Sequence, residues 1–304
     1  MKTTDQKKKK VVCYGEVLWD IFPTQTKPGG APMNVAYHLH KFGIDSRMIS
    51  RVGDDNSGEK LLKLLTEWNI PTENCQIDQH YETGKVIATV MPGNEMSYSI
   101  HSPVAWDYIT PEVDFENMVS EADAFVFGSL VTRNKTSRET LYHLIEKAKF
   151  KVFDINLRKP FYSPETIEYL LNKCNLLKLN ENELALIITW FTDNCIDEVS
   201  SVYFLQQKFN IDEIIVTKGA DGASYYTKSE SYTFPAFKVS VKDTCGSGDS
   251  FLAAFLSKKF ENESPETCMI YATGLGAFVA SHEGACPAYD LSKLESYIFQ
   301  KQIN

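Results

Sequence analysis

Asp243-Thr244-Cys245-Gly246-Ser247-Gly248-Asp249, followed at once by Ser250-Phe251-Leu252-Ala253-Ala254-Phe255, is the stretch that decides the fold. Two glycines let the backbone turn where a side chain would clash, and an apolar helical segment starts directly behind them. The amide N–H groups of such a turn point outward at a helix N-terminus, where the dipole also favours negative charge. That is a seat for a phosphate. A carboxylate on the same spot repels an anion unless it has a task, and the task at hand is to take a proton from an attacking hydroxyl. The competing reading is an ordinary glycine loop with Asp249 as a first-turn acid. The segment alone leaves the two open.

Outward from this turn, short β-rich apolar runs alternate with amphipathic helical patterns. Residues 11–19, 48–52, 124–127, 152–155, 176–179 and 214–217 read as buried strands. Residues 32–42, 58–68, 137–148, 164–172, 181–190 and 199–209 read as helices; Pro32 suits a first turn and Gly43 a stop. The alternation predicts an α/β fold, a mostly parallel central sheet with helices on both faces. Two hairpins depart from it: 85–91 with 96–101, joined by Pro92-Gly93-Asn94-Glu95, and 223–226 with 231–234. The first, together with 21–30, is expected to form a small β lid contributed by about 21–30 and 85–104. After Ser250 the pattern is helical to about Ala280, with an irregular end at 283–287. No repeat, low-complexity tract or linker interrupts the chain, so a single domain over 1–304 is expected.

Composition narrows the function classes. With 304 residues, 43% apolar and net charge −9, the chain can bury a large core. The acidic balance argues against a general nucleic-acid binder, which needs a basic footprint. Lys7 to Lys10 is the one charge block, and it reads as a solvated terminus. The apolar run behind it is too short for an export signal, and no later stretch approaches a membrane span. The seven cysteines are scattered and form no C-x-x-C, so they read as reduced cytosolic thiols. A cytoplasmic protein with no membrane partner is the expectation. Cys245 has no His or Lys beside it in sequence and reads as small filler. His38 and His40 fall on different helix faces and make a poor metal pair.

Gly29-Gly30-Ala31-Pro32-Met33-Asn34 also opens a helix after a loop. Its glycines permit close approach of a ligand, and Asn34 projects a donor and an acceptor; a plain glycine turn capping a helix is the alternative. Upstream, Gly15-Glu16-Val17-Leu18-Trp19-Asp20 closes a predicted strand with an acid. Ligands gather at the carboxyl ends of strands in α/β sheets, and a carboxylate there suits neighbouring sugar hydroxyls. Gly30-x-Pro32-x-Asn34-x-Ala36 with Gly43 and Gly53, and then the run from Asp243 to Leu256, resemble the two signatures of the ribokinase-like (PfkB) carbohydrate kinases, in that family's order.

Weaker marks extend the resemblance along nearly the whole chain. Asp154-Ile155-Asn156-Leu157-Arg158 resembles the family's D-x-N-x-R segment and makes Arg158 a fork for substrate oxygens or for charge on the transferring phosphoryl group; a surface ion-pairing arginine is the alternative. Asn180-x-x-Glu183 resembles the N-x-x-E associated with the Mg²⁺ and phosphate end of the site. It also reads as a helix start with an acid at N3, and both readings stand. Val216-Thr217-Lys218-Gly219-Ala220-Asp221-Gly222 resembles the nucleotide-binding turn, with Thr217, Gly219 and Gly222 against the nucleotide; a ligand-free hairpin turn competes. Glu283-Gly284-Ala285-Cys286-Pro287 resembles the C-terminal G-A-x-x-P, which borders the adenine and a monovalent-cation site. Walker, dinucleotide-fingerprint and nucleophile-elbow patterns are not met.

The resemblance implies an ATP-dependent sugar kinase acting on a primary alcohol. In it Asp249 is the general base, and Gly246, Ser247 and Gly248 hold the phosphoryl oxygens with help from Arg158. Asp20, Gly29, Gly30, Asn34 and Arg158 hold the sugar. Asn180, Thr217, Gly219, Gly222 and Gly248 face ATP, and Asn180 and Glu183 organise Mg²⁺ through water. Asp243 marks a K⁺ site. Gly-Gly-Ala-Pro and Gly-Glu-x-Leu-x-Asp point most nearly to fructokinases. Ribokinase, 2-keto-3-deoxygluconate kinase, nucleoside kinase and a catalytically silent sugar or nucleotide sensor stay open. The family's lids often pair between subunits, which implies a homodimer.

Overall fold

The computed structural model describes residues 8–90, 96–194 and 197–303. Its strands are β1 (Lys10–Tyr14), β2 (Leu18–Ile21), β3 (Thr26–Gly29), β4 (Asp45–Gly53), β5 (Cys75–Asp78), β6 (Gly84–Val90), β7 (Met96–Ile100), β8 (Ala124–Gly128), β9 (Lys151–Asp154), β10 (Leu176–Asn180), β11 (Glu213–Thr217), β12 (Ala223–Tyr226) and β13 (Ser231–Phe234). The helices are α1 (Ala31–Lys41), α2 (Asn56–Glu67), α3 (Val113–Glu121), α4 (Lys135–Ile145), α5 (Pro164–Leu171), α6 (Glu181–Ile188), α7 (Glu198–Phe209), α8 (Ser247–Phe260), α9 (Pro265–Ala280) and α10 (Leu291–Ile303).

Nine strands form one sheet in the order β13-β12-β11-β10-β9-β8-β1-β4-β5. It is parallel from β11 to β5 and antiparallel only at the β11–β12–β13 edge. Parallel strands covered on both faces need apolar side chains on both, which is why they read as continuous apolar runs. The alternation is visible in β1: Val11 and Cys13 enter the core with α1, α2, α8, α9 and α10, while Val12 and Tyr14 enter the core with α3 to α7. All four side chains are fully buried.

A second sheet of four strands runs β3-β2-β6-β7, with β2 and β6 parallel and the outer pairs antiparallel. The hairpin β6–β7 falls where the sequence placed it, although its turn at 92–95 lies outside the described residues. The expected strand over 11–19 is two strands in two sheets. β1 stops at Tyr14 because Gly15 takes φ +143, a conformation closed to other residues, and a Cβ there would lie 2.8 Å from Pro32 Cγ. The small sheet therefore begins at Leu18, ahead of the expected residue 21. Strand β5 and helices α3 and α10 were not read from the sequence. No helix among the described residues is long and apolar enough to cross a membrane.

Candidate active site

A cavity of about 500 Å³ lies between the two sheets. Its floor is the carboxyl end of the parallel strands: Glu16 after β1, Leu130 after β8, Asp154 ending β9, Lys178 and Asn180 on β10, and Thr217 ending β11. Its roof is the small sheet, with Leu18, Asp20, Val86, Tyr98 and Ile100. The start of α8 forms the side wall, with Thr244, Cys245, Gly246, Gly248 and Asp249.

Helix α8 begins on Gly246 at φ +74 without a side-chain cap. A Cβ on Gly246 would strike Ala285, lying 2.6 Å from its Cα, so the glycine is required for space as well as for conformation. Ser247 N–H donates to Thr244 O at 3.3 Å, while the N–H groups of Gly246, Gly248 and Asp249 find no partner within the described residues. The Ser247 hydroxyl is turned away from the cavity and donates to Gly276 O at 3.0 Å. Only the backbone of Ser247 belongs to the turn.

Asp249 is buried, and Asn34 Nδ2 donates to its Oδ2 at 2.8 Å. Burial pushes its pKa up to about 6, with repulsion from Asp154 adding to the rise; the Asn34 bond, Lys178 and Arg158 oppose it. A carboxylate with that value is ionised at neutral pH yet basic enough to accept a proton. Asn34 Oδ1 in turn accepts from the Cys286 thiol at 3.4 Å. Asn34 thus orients the base, and its second N–H and a further lone pair are left over at the cavity it lines. Cys245 lines the wall as a neutral thiol, its pKa pushed up to about 12 by burial.

Lys178 was missed. It is buried on β10, its Nζ lies 2.9 Å from each Asp154 oxygen, and a Cβ on Gly248 would sit 3.3 Å from that nitrogen. Burial alone would lower its pKa, but the charge and hydrogen bonds of Asp154 outweigh burial and hold it above the ordinary value. A permanent positive charge therefore adjoins the unpartnered amides of α8. The signal was present: Lys178 is the one charge in the apolar strand Leu176-Leu177-Lys178-Leu179. Glu16 was also missed. It is 3% exposed, its Oε2 has no partner, and burial raises its pKa to about 7 against the pull of the Glu16 and Ala31 amides.

Asp20 lines the roof, its pKa raised to about 6 by burial, with Arg158 opposing. Gly29 does not line the cavity; it is backed against the Asp20 carboxylate, where any Cβ would collide, and so shapes Asp20. Gly30 lines the cavity and caps α1 at φ +117, its α-carbon pressed on the Glu16 carbonyl. Arg158 stands exposed at the cavity wall. Thr217 lines the cavity and its hydroxyl donates to Leu179 O at 3.5 Å. Gly219 and Gly222 lie beyond the cavity wall: Gly219 faces open space, and Gly222 is pressed against the β13 end at Phe234. The hairpin reading accounts for Gly222.

Asn180 and Glu183 form the capping box of α6: Asn180 Oδ1 accepts Glu183 N–H and Glu183 Oε2 accepts Asn180 N–H, both at 2.9 Å. Glu183 Oε1 accepts Leu157 N–H at 2.8 Å, tying α6 to the segment that carries Arg158. Each carboxylate oxygen keeps one lone pair, and both residues line the cavity. That set fits water around a nucleotide-borne Mg²⁺, not a direct metal ligand. Among the described residues no group of three or more His, Cys, Asp or Glu is placed to hold a metal ion. Asp243 is engaged on both oxygens. Oδ1 accepts Cys245 N–H at 3.0 Å, and Oδ2 accepts Gly284 N–H at 3.0 Å and faces Lys27 Nζ at 3.4 Å.

A helix start without a side-chain cap, a buried carboxylate and an adjoining ammonium on an α/β sheet make an arrangement suited to phosphoryl transfer. Residues 5–291 match the model of the pfkB family of carbohydrate kinases, and the chain belongs to that family. It is 28% identical to fructokinase-2 of Zea mays, covering 91% of this chain and 90% of the relative. It is also 28% identical to probable fructokinase-7 of Arabidopsis thaliana, covering 91% and 89%. Among solved structures, fructokinase from Xylella fastidiosa with bound ATP superposes with TM-score 0.87 at 22% identity, covering 98% of this chain and all of that one. A Vibrio cholerae fructokinase with fructose, ADP and potassium ion superposes with TM-score 0.82 at 21% identity, covering 95% and 98%. The protein is a carbohydrate kinase.

Proposed function

We propose that this kinase phosphorylates fructose on a primary hydroxyl. Asp249 takes the hydroxyl proton as the oxygen bonds to the γ-phosphorus of ATP, and the bond from that phosphorus to the β–γ bridging oxygen breaks to leave ADP. The amides of Gly246, Gly248 and Asp249 bind the transferring oxygens, and Lys178 sets a positive charge beside them where solvent is scarce. Mg²⁺ on the nucleotide neutralises phosphate charge; Asn180 and Glu183 are suited to hold it through water. Asp20 accepts sugar hydroxyls, Gly30 lets the sugar approach α1, and Arg158 closes the exposed side. The small sheet is the lid that excludes water. Its two outer strands, β3 and β7, and the exposed Tyr98 support pairing between two copies. Fructose is favoured by the plant relatives and by the Vibrio cholerae complex.

The observation that carries the mechanism is the Asn34–Asp249 bond at the uncapped start of α8. The test is ADP release with Mg-ATP over fructose, ribose, 2-keto-3-deoxygluconate and nucleosides, with wild type and Asp249→Asn. Fructose is expected to give the highest kcat/KM. Asp249→Asn is expected to lose about 10²–10⁴ in kcat with ATP affinity kept. A better non-fructose substrate overturns the substrate, and near-normal kcat in the variant overturns the base.

A further inference from the structure

The resemblance implies K⁺ beside Asp243, but a lysine ammonium already stands on that carboxylate. An alkali cation is held by several oxygens that replace its water. Here Asp243 Oδ1 is hydrogen-bonded to Cys245 N–H, and Oδ2 is hydrogen-bonded to Gly284 N–H and faces the ammonium of Lys27 at 3.4 Å. The same ammonium lies 3.8 Å from Glu283 Oε2. Lys27 is no loosely placed surface lysine. Its side chain is 17% exposed, its methylenes pass over Gly284 so closely that a Cβ there would lie 3.2 Å from Lys27 Cδ, and its nitrogen stands 5.5 Å from the Phe22 ring centre. A metal ion on the same carboxylate oxygen would meet a like charge a few ångströms away.

We propose that Lys27 is the resident cation of this loop, so that the kinase works without a monovalent metal ion. Lys27 sits on β3, directly opposite Asp20 on β2. The pair Lys27–Asp243 therefore spans from the roof strand to the first residue of the phosphate-binding turn, and the loop at 283–284 closes around it. Lys27 is a positioning residue: it neutralises Asp243, and Asp243 holds the Cys245 and Gly284 amides that fix the approach to Gly246. Removing the ammonium leaves a partly buried carboxylate without its counter-charge, and that vacancy is one an alkali ion can fill.

The inference rests on the sugar-kinase reading for its kinetic arm only, so a second arm needs no turnover. Thermal melting and kinase rate are compared in KCl and in choline chloride at equal ionic strength, for wild type, Lys27→Met and Lys27→Arg. Wild type is expected to show the same melting temperature and rate in both salts. Lys27→Met is expected to lose rate severalfold in choline chloride, to regain it in KCl, and to melt higher in KCl. Lys27→Arg is expected to stay indifferent to the salt. A wild type that melts higher or turns over severalfold faster in K⁺ overturns the proposal, even where Lys27→Met does not fold. So does a folded Lys27→Met with unchanged rate and melting in both salts. Absent turnover in every sample, with wild-type melting indifferent to K⁺ and Lys27→Met stabilised by it, breaks the kinase reading and keeps the cation assignment.

Discussion

Two helices of this protein begin in the same way and are used differently. Both α1 and α8 start at the cavity on a glycine with positive φ, Gly30 at +117 and Gly246 at +74, and neither has a side-chain cap. Helices α2, α4, α5, α7 and α9 close their own starts with Asp55, Asn134, Ser163, Asp197 and Ser264. At α1 the Glu16 carboxyl lies near enough to the Ala31 amide for that amide to pull its pKa down. At α8 the acid of the first turn is bound by Asn34, and the N–H groups of Gly246, Gly248 and Asp249 find no partner among the described residues. One backbone device thus seats a protein carboxylate in one case and is kept for a substrate phosphoryl group in the other. Asn34, on α1, joins them.

The difference can be broken most severely at Gly246. Gly246→Ala puts a methyl group into Ala285 and disfavours the turn, and it is expected to lower kcat by about 10²–10³-fold in steady-state assays. Gly30→Ala is the counterpart. Its Cβ collides with the Glu16 carbonyl, so the expected loss is first in stability, about 1–3 kcal/mol in denaturant unfolding, with the sugar KM raised more than kcat is lowered. If Gly30→Ala instead abolished turnover at normal stability, the two helix starts would not be divided as described. The mildest change sharpens their connection. With Asp249 raised to about 6, kcat/KM should fall on the acid side near that pH, because the protonated acid cannot accept a proton. The Asn34 bond favours the charged form, so Asn34→Ala should move this limb to higher pH. A limb that stays in place would detach Asn34 from the base.

The main sheet was legible because buried parallel strands carry a distinctive continuous apolar run. What was lost depended on backbone angle or distant contact. Val17-Leu18-Trp19 is as apolar as β1, so only the φ of Gly15 reveals that the chain has changed sheets. Helix α3 buries just Phe115 and Val119, too thin a stripe to stand out. In the site, Asp249, Gly246, Asn34 and Asp20 line one cavity, as the resemblance implied. Gly29 and Ser247 are near but turned to other tasks, and Gly219 and Gly222 fall outside the wall. Glu183 could be read as cap or metal organiser, and the hydrogen bonds make it the cap while leaving lone pairs toward the cavity. Lys27 could not be matched to Asp243 at all, since 216 positions separate them.

The small sheet is made from two stretches that leave the nine-stranded sheet at different points, β2–β3 between β1 and α1, and β6–β7 between β5 and α3. They are joined by the parallel ladder of Leu18–Ile21 with Gly84–Ile87. That ladder can close only after α1, β4, α2 and β5 have brought its halves together, whereas the nine-stranded sheet needs neither half to assemble. The two halves of the roof are held to each other by a single ladder of four residue pairs, so the roof is expected to open before the nine-stranded sheet does. Hydrogen exchange checks this: amide protons of β2 and β6 are expected to exchange faster than those of β1 and β8–β10.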